Sequence, residues 1–149
     1  MPRLPASVTI AGMAIALEQV RVVDVMHPGT VTCPPETSLR TVARMMAAYR
    51  IHCVVVLVDI DEAAFDARLC GVVSDLDLVG AAGAELDERT AGGTASTPLV
   101  TVGPSETLER AAQLMAEYQT SHLVVVEPAS GRPVGVLSTL DIAGEIARR

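Results

Sequence analysis

The chain contains two copies of one sequence pattern, and this internal duplication constrains its fold more than any other feature. Residues 31–57 align with residues 100–126 at a constant offset of 69, and ten of those 27 positions are identical. A second block, residues 71–77, aligns with residues 135–141 at an offset of 64, so the first copy carries five extra residues between the blocks. Because half-sized repeats rarely bury a core alone, we expect the copies to pack on each other around a pseudo-symmetric cleft.

The composition indicates a compact domain with an aliphatic core. The chain has 149 residues, of which 50% are hydrophobic and 19% are charged, so it is too apolar to be a disordered chain. It has no Trp, one Phe and two Tyr, which leaves Val, Leu, Ile, Ala and Met to fill the core. The net charge of −7, with no cluster of Lys and Arg, argues against a nucleic-acid-binding surface. A small anionic ligand stays open, because backbone N–H groups and a few local His or Arg residues bind phosphate even on an acidic protein.

The cysteines and the N-terminal segment bear on the compartment. Cys33, Cys53 and Cys70 are an odd number without CxxC spacing, which favours small buried side chains, with a redox switch as the alternative. The apolar run at 8–17 follows a single basic residue and a proline, which favours a segment packed on the domain or on a partner chain over an export signal. No apolar run is long enough to span a bilayer, and we expect a cytoplasmic protein without membrane contact.

The duplication divides the chain into an N-terminal extension and two repeats joined by a connector. We place the extension at 1–21, the first repeat at 22–80, the connector at 81–93 and the second repeat at 94–149. Each repeat reads as strand, helix, strand, strand, helix, because β-branched apolar runs follow a segment with the apolar period of a helix. The predicted fold class is therefore α/β or α+β, built from two β-α-β-β-α units. The Gly-Gly pair at 92–93 predicts a turn at the end of the connector.

A block present in both copies, Gly-x-x-Ser-x-x-Asp, carries the sharpest chemical signal. Gly71 and its counterpart Gly135 leave room for another backbone or a planar ligand, because they have no Cβ atom. The serine falls where a strand ends and a helix begins, and the aspartate lies in the first helical turn. Ser-x-x-Asp predicts a helix capping box, and equally a hydroxyl and a carboxylate that bind the phosphate or the vicinal diol of a ligand. The two copies of this pair are Ser74 with Asp77 and Ser138 with Asp141.

The histidines have both structural and ligand-binding interpretations. His52 and His122 each lie at the start of a predicted buried strand, where an imidazole is either a satisfied structural group or a phosphate contact. His27, beside a proline in the segment before the first strand, is predicted to be structural. Asp75 is predicted to be a solvated carboxylate at a helix start, with Mg²⁺ binding beside a nucleotide as the alternative. We expect no metal site, since one His and a distant Cys supply too few ligands.

Motifs of the common enzyme classes are absent from the sequence. It has no Gly-x-Ser-x-Gly elbow, no phosphate-binding Gly-Lys-Ser/Thr loop, no His-Glu-x-x-His and no Cys/His pair with an orienting group. We therefore predict that the protein is not an enzyme and has no catalytic residue.

Further short motifs follow one another in an order typical of a known family. Val23-Asp24-Val25-Met26 with Pro28 precedes the first strand, and Pro-Glu-Thr-Ser-Leu at 35–39 begins the first helix. With the valine-rich second strands and both Gly-x-x-Ser-x-x-Asp blocks, these motifs resemble a tandem pair of cystathionine-β-synthase (CBS) domains, a Bateman module. The resemblance covers about residues 22–147. It implies two pseudo-symmetric repeats packed through their sheets, with a cleft for an adenosyl ligand on each side of the pair.

The resemblance also implies roles for individual residues. The ribose hydroxyls fall to the aspartates of the repeated block, Asp77 and Asp141. Ribose or phosphate contact falls to its serines, Ser74 and Ser138. The apolar flank of the base falls to Val72 and Val136, and the place of the phosphate contacts is held by His52 and His122. The adenine is expected against the first strand and the start of the second strand of the opposite repeat, at Thr30, Val31, Thr32, Ile51 and His52 or at Leu99, Val100, Thr101, Thr120 and Ser121.

The predicted function is regulatory. We expect a stand-alone CBS pair that binds an adenine-containing ligand between its repeats and passes the signal to a protein partner or to self-association. No cofactor is certain, and AMP, ADP, ATP, NAD and S-adenosylmethionine are the candidate ligands. A triphosphate has less support, because no dense arginine cluster accompanies the histidines. The insertion in the first copy makes the two clefts unequal, so we expect at most one to bind tightly.

Two alternative functions remain open on the sequence. The first is a ligand-free structural module for dimerisation and partner docking. A homodimer is expected in either case, with Met45/Met46 and Leu114/Met115 as a candidate face unless these side chains belong to the core. The second is a small hydrolase or transferase, for which no nucleophile and base can be assembled.

Overall fold

The computed structural model describes residues 16–61, 66–83, 85–95 and 100–148, and both repeats follow the predicted order of elements. The first repeat contains β2 (Thr32–Cys33), α1 (Leu39–Tyr49), β3 (Cys53–Asp61), β4 (Asp66–Ser74) and α2 (Asp75–Gly80). Outside the two units lie a 3-10 helix (Val22–Asp24), β1 (His27–Pro28) and α3 (Ala91–Thr94). The second repeat contains β5 (Thr101–Val102), α4 (Leu108–Tyr118), β6 (His122–Val126), β7 (Pro133–Ser138) and α5 (Thr139–Ala147). The predicted mixed class with two β-α-β-β-α units is confirmed.

The strands form two sheets, one for each repeat. The strand order is β2-β3-β4 in the first sheet and β1-β7-β6-β5 in the second. Within each repeat the first two strands are parallel, because a helix carries the chain back between them, and the last two are antiparallel. Val54 and Val56 of β3 pack into the core beneath α1, whereas Val55 points to the opposite face and is also buried. Val124 of β6 repeats this arrangement, so each sheet also buries a valine on its second face.

The helices α1 and α4 are equivalent and arise from the same local signals. Ser38 and Thr107 cap their N-termini, and each side chain accepts a hydrogen bond from the backbone N–H three residues further on. Each helix buries one apolar stripe, formed by Leu39, Val42 and Met46 in α1 and by Leu108, Ala111, Leu114 and Met115 in α4. Met45 packs against the first core as well. Met46, Leu114 and Met115 are buried in the two cores, which supports the core interpretation for them, whereas Met45 is only partly buried. The helices within the described ranges all fall short of what a bilayer crossing requires in length and apolar character.

The segments that precede the two repeats are exchanged between them. Leu17, Val20 and Val22 belong to the core of the second repeat, and the N–H of Leu108 donates to the carbonyl of Val20 at 2.9 Å. The equivalent bond in the other half joins the N–H of Leu39 to the carbonyl of residue 89, also at 2.9 Å. Ala81, Leu86 and Ala91 accordingly pack on the first core. The described part of the N-terminal extension thus packs on the second repeat, and its first 15 residues lie outside the described ranges.

The end of the connector differs from the prediction. Gly92 and Gly93 do not form a turn but belong to α3, and Thr90 caps this short helix by accepting a hydrogen bond from the N–H of Gly93 at 3.2 Å. A Cβ atom on Gly92 would lie 2.8 Å from the Cβ atom of Pro35. The glycine is therefore explained by close packing of α3 against the first repeat rather than by a turn.

Candidate functional site

A cavity of about 870 Å³ opens between the two repeats. Its volume lies within the range of about 300–1,000 Å³ that is usual for small-molecule sites. The first repeat and the segment before it contribute His27, Pro28, Gly29, Thr30, Val31, Tyr49, Arg50, Ile51, His52, Cys53 and Asp75. The second repeat contributes Ser121, His122, Val136, Ser138, Thr139, Leu140 and Asp141. The cavity therefore exists only because the repeats pack on each other.

The cavity brings together one of the two predicted residue sets almost completely. The predicted site residues that line it are Thr30, Val31, Ile51, His52, Ser121, His122, Val136, Ser138 and Asp141. Those that do not line it are Thr32, Val72, Ser74, Asp77, Val100, Thr101 and Thr120. Leu99 lies outside the described residues. Most of the second group belongs by pseudo-symmetry to the cleft predicted on the opposite side of the pair.

Both Ser-x-x-Asp motifs form helix capping boxes. The N–H of Ser138 donates to Oδ2 of Asp141 at 2.8 Å, and the N–H of Asp141 donates to Oγ of Ser138 at 3.2 Å. Ser74 and Asp77 form the same pair of bonds at the start of α2. The structural interpretation of the motif is thus confirmed in both repeats. The capping box uses only one oxygen of Asp141, and the second carboxylate oxygen has its own acceptor sites.

The second oxygen of Asp141 faces the cavity and contacts His27. The Nε2 atom of His27 lies 2.9 Å from Oδ1 of Asp141. The Asp141 side chain is 12% exposed and that of His27 is 77% exposed, so the carboxylate lies deep and the imidazole lies towards solvent. The capping box therefore holds the carboxylate in one orientation and presents Oδ1 to the cavity, where an exposed and displaceable group now occupies it.

A second histidine–carboxylate pair lies across the cavity and has no equivalent in the other half. The Nδ1 atom of His52 lies 2.8 Å from Oδ2 of Asp75, and this hydrogen bond is the main reason that the pKa of Asp75 is lowered. The backbone is symmetric here, since the N–H of Asp75 donates to the carbonyl of His52 as the N–H of Thr139 donates to that of Ser121. The side chains are not symmetric, because Thr139 replaces the carboxylate. Asp75 lies at a helix start and its side chain is 53% exposed, as predicted, but the sequence did not predict its contact with His52.

His122 lies between the two pairs. Burial lowers the pKa of His122, while the carboxylates of Asp75 and Asp141 favour its charged form and His52 opposes it. Its Nδ1 atom lies 2.9 Å from Oγ of Ser121. The chain has three histidines, and all of them line this one cavity.

The remaining groups limit the chemistry of the cavity. Cys53 is buried as predicted, and burial raises its pKa to about 11, so its thiol stays protonated and a poor nucleophile at neutral pH. Within the described residues, no group of three or more His, Cys, Asp and Glu side chains is placed to hold a metal ion. The cavity offers a ligand hydrogen-bonding groups and charged side chains.

Sequence reasoning missed several of the residues that line the cavity, His27 above all. It was assigned a structural role because it precedes a proline, but its strand β1 crosses to the second sheet and pairs with β7. The signal for this crossing was Gly135, where a Cβ atom would lie 2.6 Å from the carbonyl oxygen of His27. The prediction that Gly135 admits another backbone is therefore confirmed. Asp75 and Arg50 differ from their counterparts Thr139 and Gln119, and Tyr49 is repeated as Tyr118, so the duplication gave no ligand-binding signal for these three residues.

Comparisons with known proteins agree with this architecture. The family model of the CBS domain matches residues 22–84 and again residues 92–148. A search of curated protein sequences found no match to the chain. Among solved structures, a CBS domain protein from Pyrobaculum aerophilum complexed with AMP is 27% identical, with a TM-score of 0.72 over 87% of this chain and 100% of that one.

Two further solved structures have the same fold. Hypoxic Response Protein I with two coordinated zinc ions is 26% identical, with a TM-score of 0.68 over 84% of this chain and 98% of that one. A CBS domain pair in complex with 5′-methylthioadenosine and S-adenosyl-L-methionine is 20% identical, with a TM-score of 0.73 over 87% of this chain and 97% of that one. The duplicated sequence, the two sheets and both family matches together identify this chain as a member of the CBS domain family, a tandem pair of CBS repeats.

Proposed function

We propose that this CBS pair is a regulatory sensor that binds an adenine-containing ligand in the cavity between its repeats. The observation that carries the proposal is the orientation of Asp141, whose Oδ1 atom faces the cavity while its capping box holds Oδ2. A fixed carboxylate suits a ribose, because it accepts hydrogen bonds from two vicinal hydroxyls without reorganising. The related structures with AMP and with adenosyl compounds support the ligand class.

The ligand is proposed to lie across the boundary between the repeats. Asp141 would bind the ribose hydroxyls, and the base would lie among the apolar groups Val31, Ile51 and Val136. The 5′ substituent would then point towards His52 and His122. To accept the ribose, Oδ1 of Asp141 exchanges its contact with His27 for contacts with the hydroxyls. This exchange costs little free energy, because the His27 side chain is mostly exposed and stays hydrated after it moves.

A ligand controls a sensor of this kind by binding one conformation of the protein more tightly than another. A ligand that touches both repeats stabilises the arrangement in which they are closed, and only to the extent that it binds this arrangement more tightly. We propose that the output passes to a protein partner or to self-association, and that the protein performs no catalysis. CBS pairs are typically regulatory, which supports this reading.

Calorimetric titration with a matched pair of variants tests the proposal. AMP, ADP, ATP, NAD and S-adenosylmethionine are titrated into the wild type, Asp141→Ala and Asp77→Ala. Both substitutions remove a capping box, but only Asp141 lines the cavity, so Asp77→Ala controls for the loss of the cap. Loss of even one hydrogen bond to a charged group costs about 1.5–3 kcal/mol, so Asp141→Ala should weaken binding by at least roughly 10- to 100-fold while Asp77→Ala leaves it unchanged.

Thermal unfolding gives an independent readout. A ligand at 100 times its dissociation constant adds about 2.7 kcal/mol to the free energy of unfolding. For a chain of this length that corresponds to a rise in Tm of roughly 5–10 °C. If no adenine compound raises the Tm of the wild type, or if both aspartate variants lose binding equally, the assignment of this cavity fails.

A partner-docking role without ligand is the second candidate, and exposed leucines favour it. Leu76 of α2 is 75% exposed and Leu140 of α5 is 73% exposed, at equivalent positions of the two repeats. Large apolar side chains exposed at the start of both helices fit a docking surface. Sedimentation velocity of the wild type and of Leu76→Ser with Leu140→Ser tests it. Loss of an oligomer in the double variant, with no ligand bound by the wild type, would favour this role over sensing.

A further inference from the structure

Two of the histidine side chains that line the cavity are oriented by carboxylates, and this fixes which face each presents to a ligand. With Nδ1–H donating to Asp75, a neutral His52 presents Nε2 to its surroundings only as an acceptor. With Nε2–H donating to Asp141, a neutral His27 is left with Nδ1 as an acceptor. A neutral imidazole in either position repels a phosphate oxygen, whereas a protonated one donates to it and keeps its carboxylate partner.

The charge on the cavity wall points the same way. Among the described residues that line it, Asp75 and Asp141 are the carboxylates and Arg50 is the arginine. With all imidazoles neutral the carboxylates outnumber the arginine, so a phosphate dianion enters an acidic wall. The other titratable groups there are the phenol of Tyr49 and the thiol of Cys53, and neither carries positive charge. Only protonation of histidine can reverse the sign of the wall.

We propose that this CBS pair binds phosphorylated adenine ligands with uptake of protons by His52 and His122, so that it senses pH together with nucleotide. The inference rests on the proposed function and deepens it by naming the charge state in which the phosphate is bound. His122 is the group best placed to take up a proton, because Asp75 on α2 and Asp141 on α5 favour its charged form, although a charged His52 opposes it. Ser121 supplies a hydroxyl that suits either charge state.

The direction of the pH effect follows from the free protein. Burial lowers the pKa of His122, so the imidazole is neutral near pH 7 before ligand binds. A phosphate dianion beside it favours the charged form and raises that pKa. Between the two pKa values a proton is taken up on binding, and affinity therefore increases as pH falls. A phosphate monoester has its own second pKa near about 6, so the window to examine lies above pH 6.5.

Calorimetry with AMP and adenosine as matched probes tests the inference. Each is titrated at pH 7.0 into the full chain in two buffers that differ in ionisation enthalpy, which yields the number of protons exchanged. Binding of AMP should be accompanied by uptake of about half a proton to one proton, and AMP should bind roughly threefold to tenfold more tightly for each unit that pH falls. Adenosine, which lacks the phosphate, should take up none. The uptake should shrink in His52→Gln and His122→Gln but not in Asp87→Asn, which removes a carboxylate outside the cavity wall.

The outcomes separate this inference from the function on which it rests. Binding of AMP without proton uptake, or equal uptake for AMP and adenosine, overturns the inference and leaves the adenine site intact. Absence of binding by both probes overturns both. If a histidine variant fails to fold, the imidazole NMR signals of the wild type decide instead. Titration midpoints of His52 and His122 that do not rise when AMP is added overturn the inference.

Discussion

Replacing Gly135 by alanine should destabilise the protein, because β1 passes directly over this position. A Cβ atom there would lie 2.6 Å from the carbonyl oxygen of His27 and 2.8 Å from Sδ of Met26. The methionine sulfur can move, but the carbonyl belongs to the backbone of β1, which pairs with β7 at His27 and Pro28. To restore an ordinary carbon–oxygen separation of about 3.3 Å, the strand must shift by roughly 0.7 Å.

The magnitude follows from what that shift breaks. The ladder between β1 and β7 continues in the bond from the N–H of Gly29 to the carbonyl of Val134 at 2.9 Å. Loss of two such backbone bonds, at about 1 kcal/mol each, gives a destabilisation of about 2 kcal/mol, in line with the usual cost of overpacking. For a chain of this length the Tm should fall by roughly 4–8 °C.

The control is a glycine in the same repeat whose replacement should have the opposite effect. Gly144 lies within α5, and a Cβ atom there would meet nothing within 4 Å. Alanine is favoured over glycine inside a helix by about 0.8–1 kcal/mol, so Gly144→Ala should raise the Tm by roughly 2–4 °C. Urea unfolding of both variants measures the difference. Equal stability of Gly135→Ala and the wild type, or changes of the same sign in both variants, would refute the reasoning.

Three further predictions concern stability, and two of them also separate it from AMP binding. Arg50 and Gln119 end α1 and α4 in left-handed conformations (φ 53° and 50°), so glycine at either position should raise the free energy of unfolding in urea by roughly 0.5–1 kcal/mol. Only Arg50→Gly should also weaken AMP binding, and equal AMP affinities of the two variants would contradict a role of Arg50 in binding. Because burial lowers the pKa of His122, its contribution to stability is present above the unfolded pKa of about 6.5 and is lost as pH falls through the folded pKa. His122→Gln should therefore flatten the loss of stability measured between pH 7.5 and 5. An unchanged dependence of stability on pH would contradict this prediction. Ser74→Ala removes the cap of α2 and should cost about 1 kcal/mol without changing AMP affinity, and a large loss of affinity would show that the opposite cleft binds.

The fold was predictable because its signals are local and occur twice. The apolar period of α1, the valine runs of β3 and β6 and the Ser-x-x-Asp caps each depend on neighbours within a few residues. The exchange of leading segments was not predictable in this way. Val22 resembles any apolar residue before a repeat, and only the three-dimensional structure shows that it is buried in the core of the second repeat.

Part of the candidate site was predictable because the two copies agree. Asp141 and Ser138 were found because Asp77 and Ser74 repeat them. The contact of Asp75 with His52 was not predicted, because the counterpart of Asp75 is Thr139. The contact of His27 with Asp141 was not predicted either, because it joins residues far apart in the sequence. Duplication identifies the shared scaffold of a pair of repeats, whereas the residues that would make one cleft differ from the other are those in which the copies diverge.

The position of β1 shows how filling this cavity can oppose separation of the repeats. The strand is paired with the second sheet, and the chain continues through Gly29, Thr30 and Val31 into β2 of the first sheet. Pro28 to Val31 also line the cavity, so this short link between the sheets is part of the wall that a ligand would contact. A molecule bound between this link and Asp141 touches one sheet directly and the other through the residues that join them. Opening the pair would then break contacts on both sides at once, and the resulting stabilisation of the closed arrangement equals the binding free energy lost on opening.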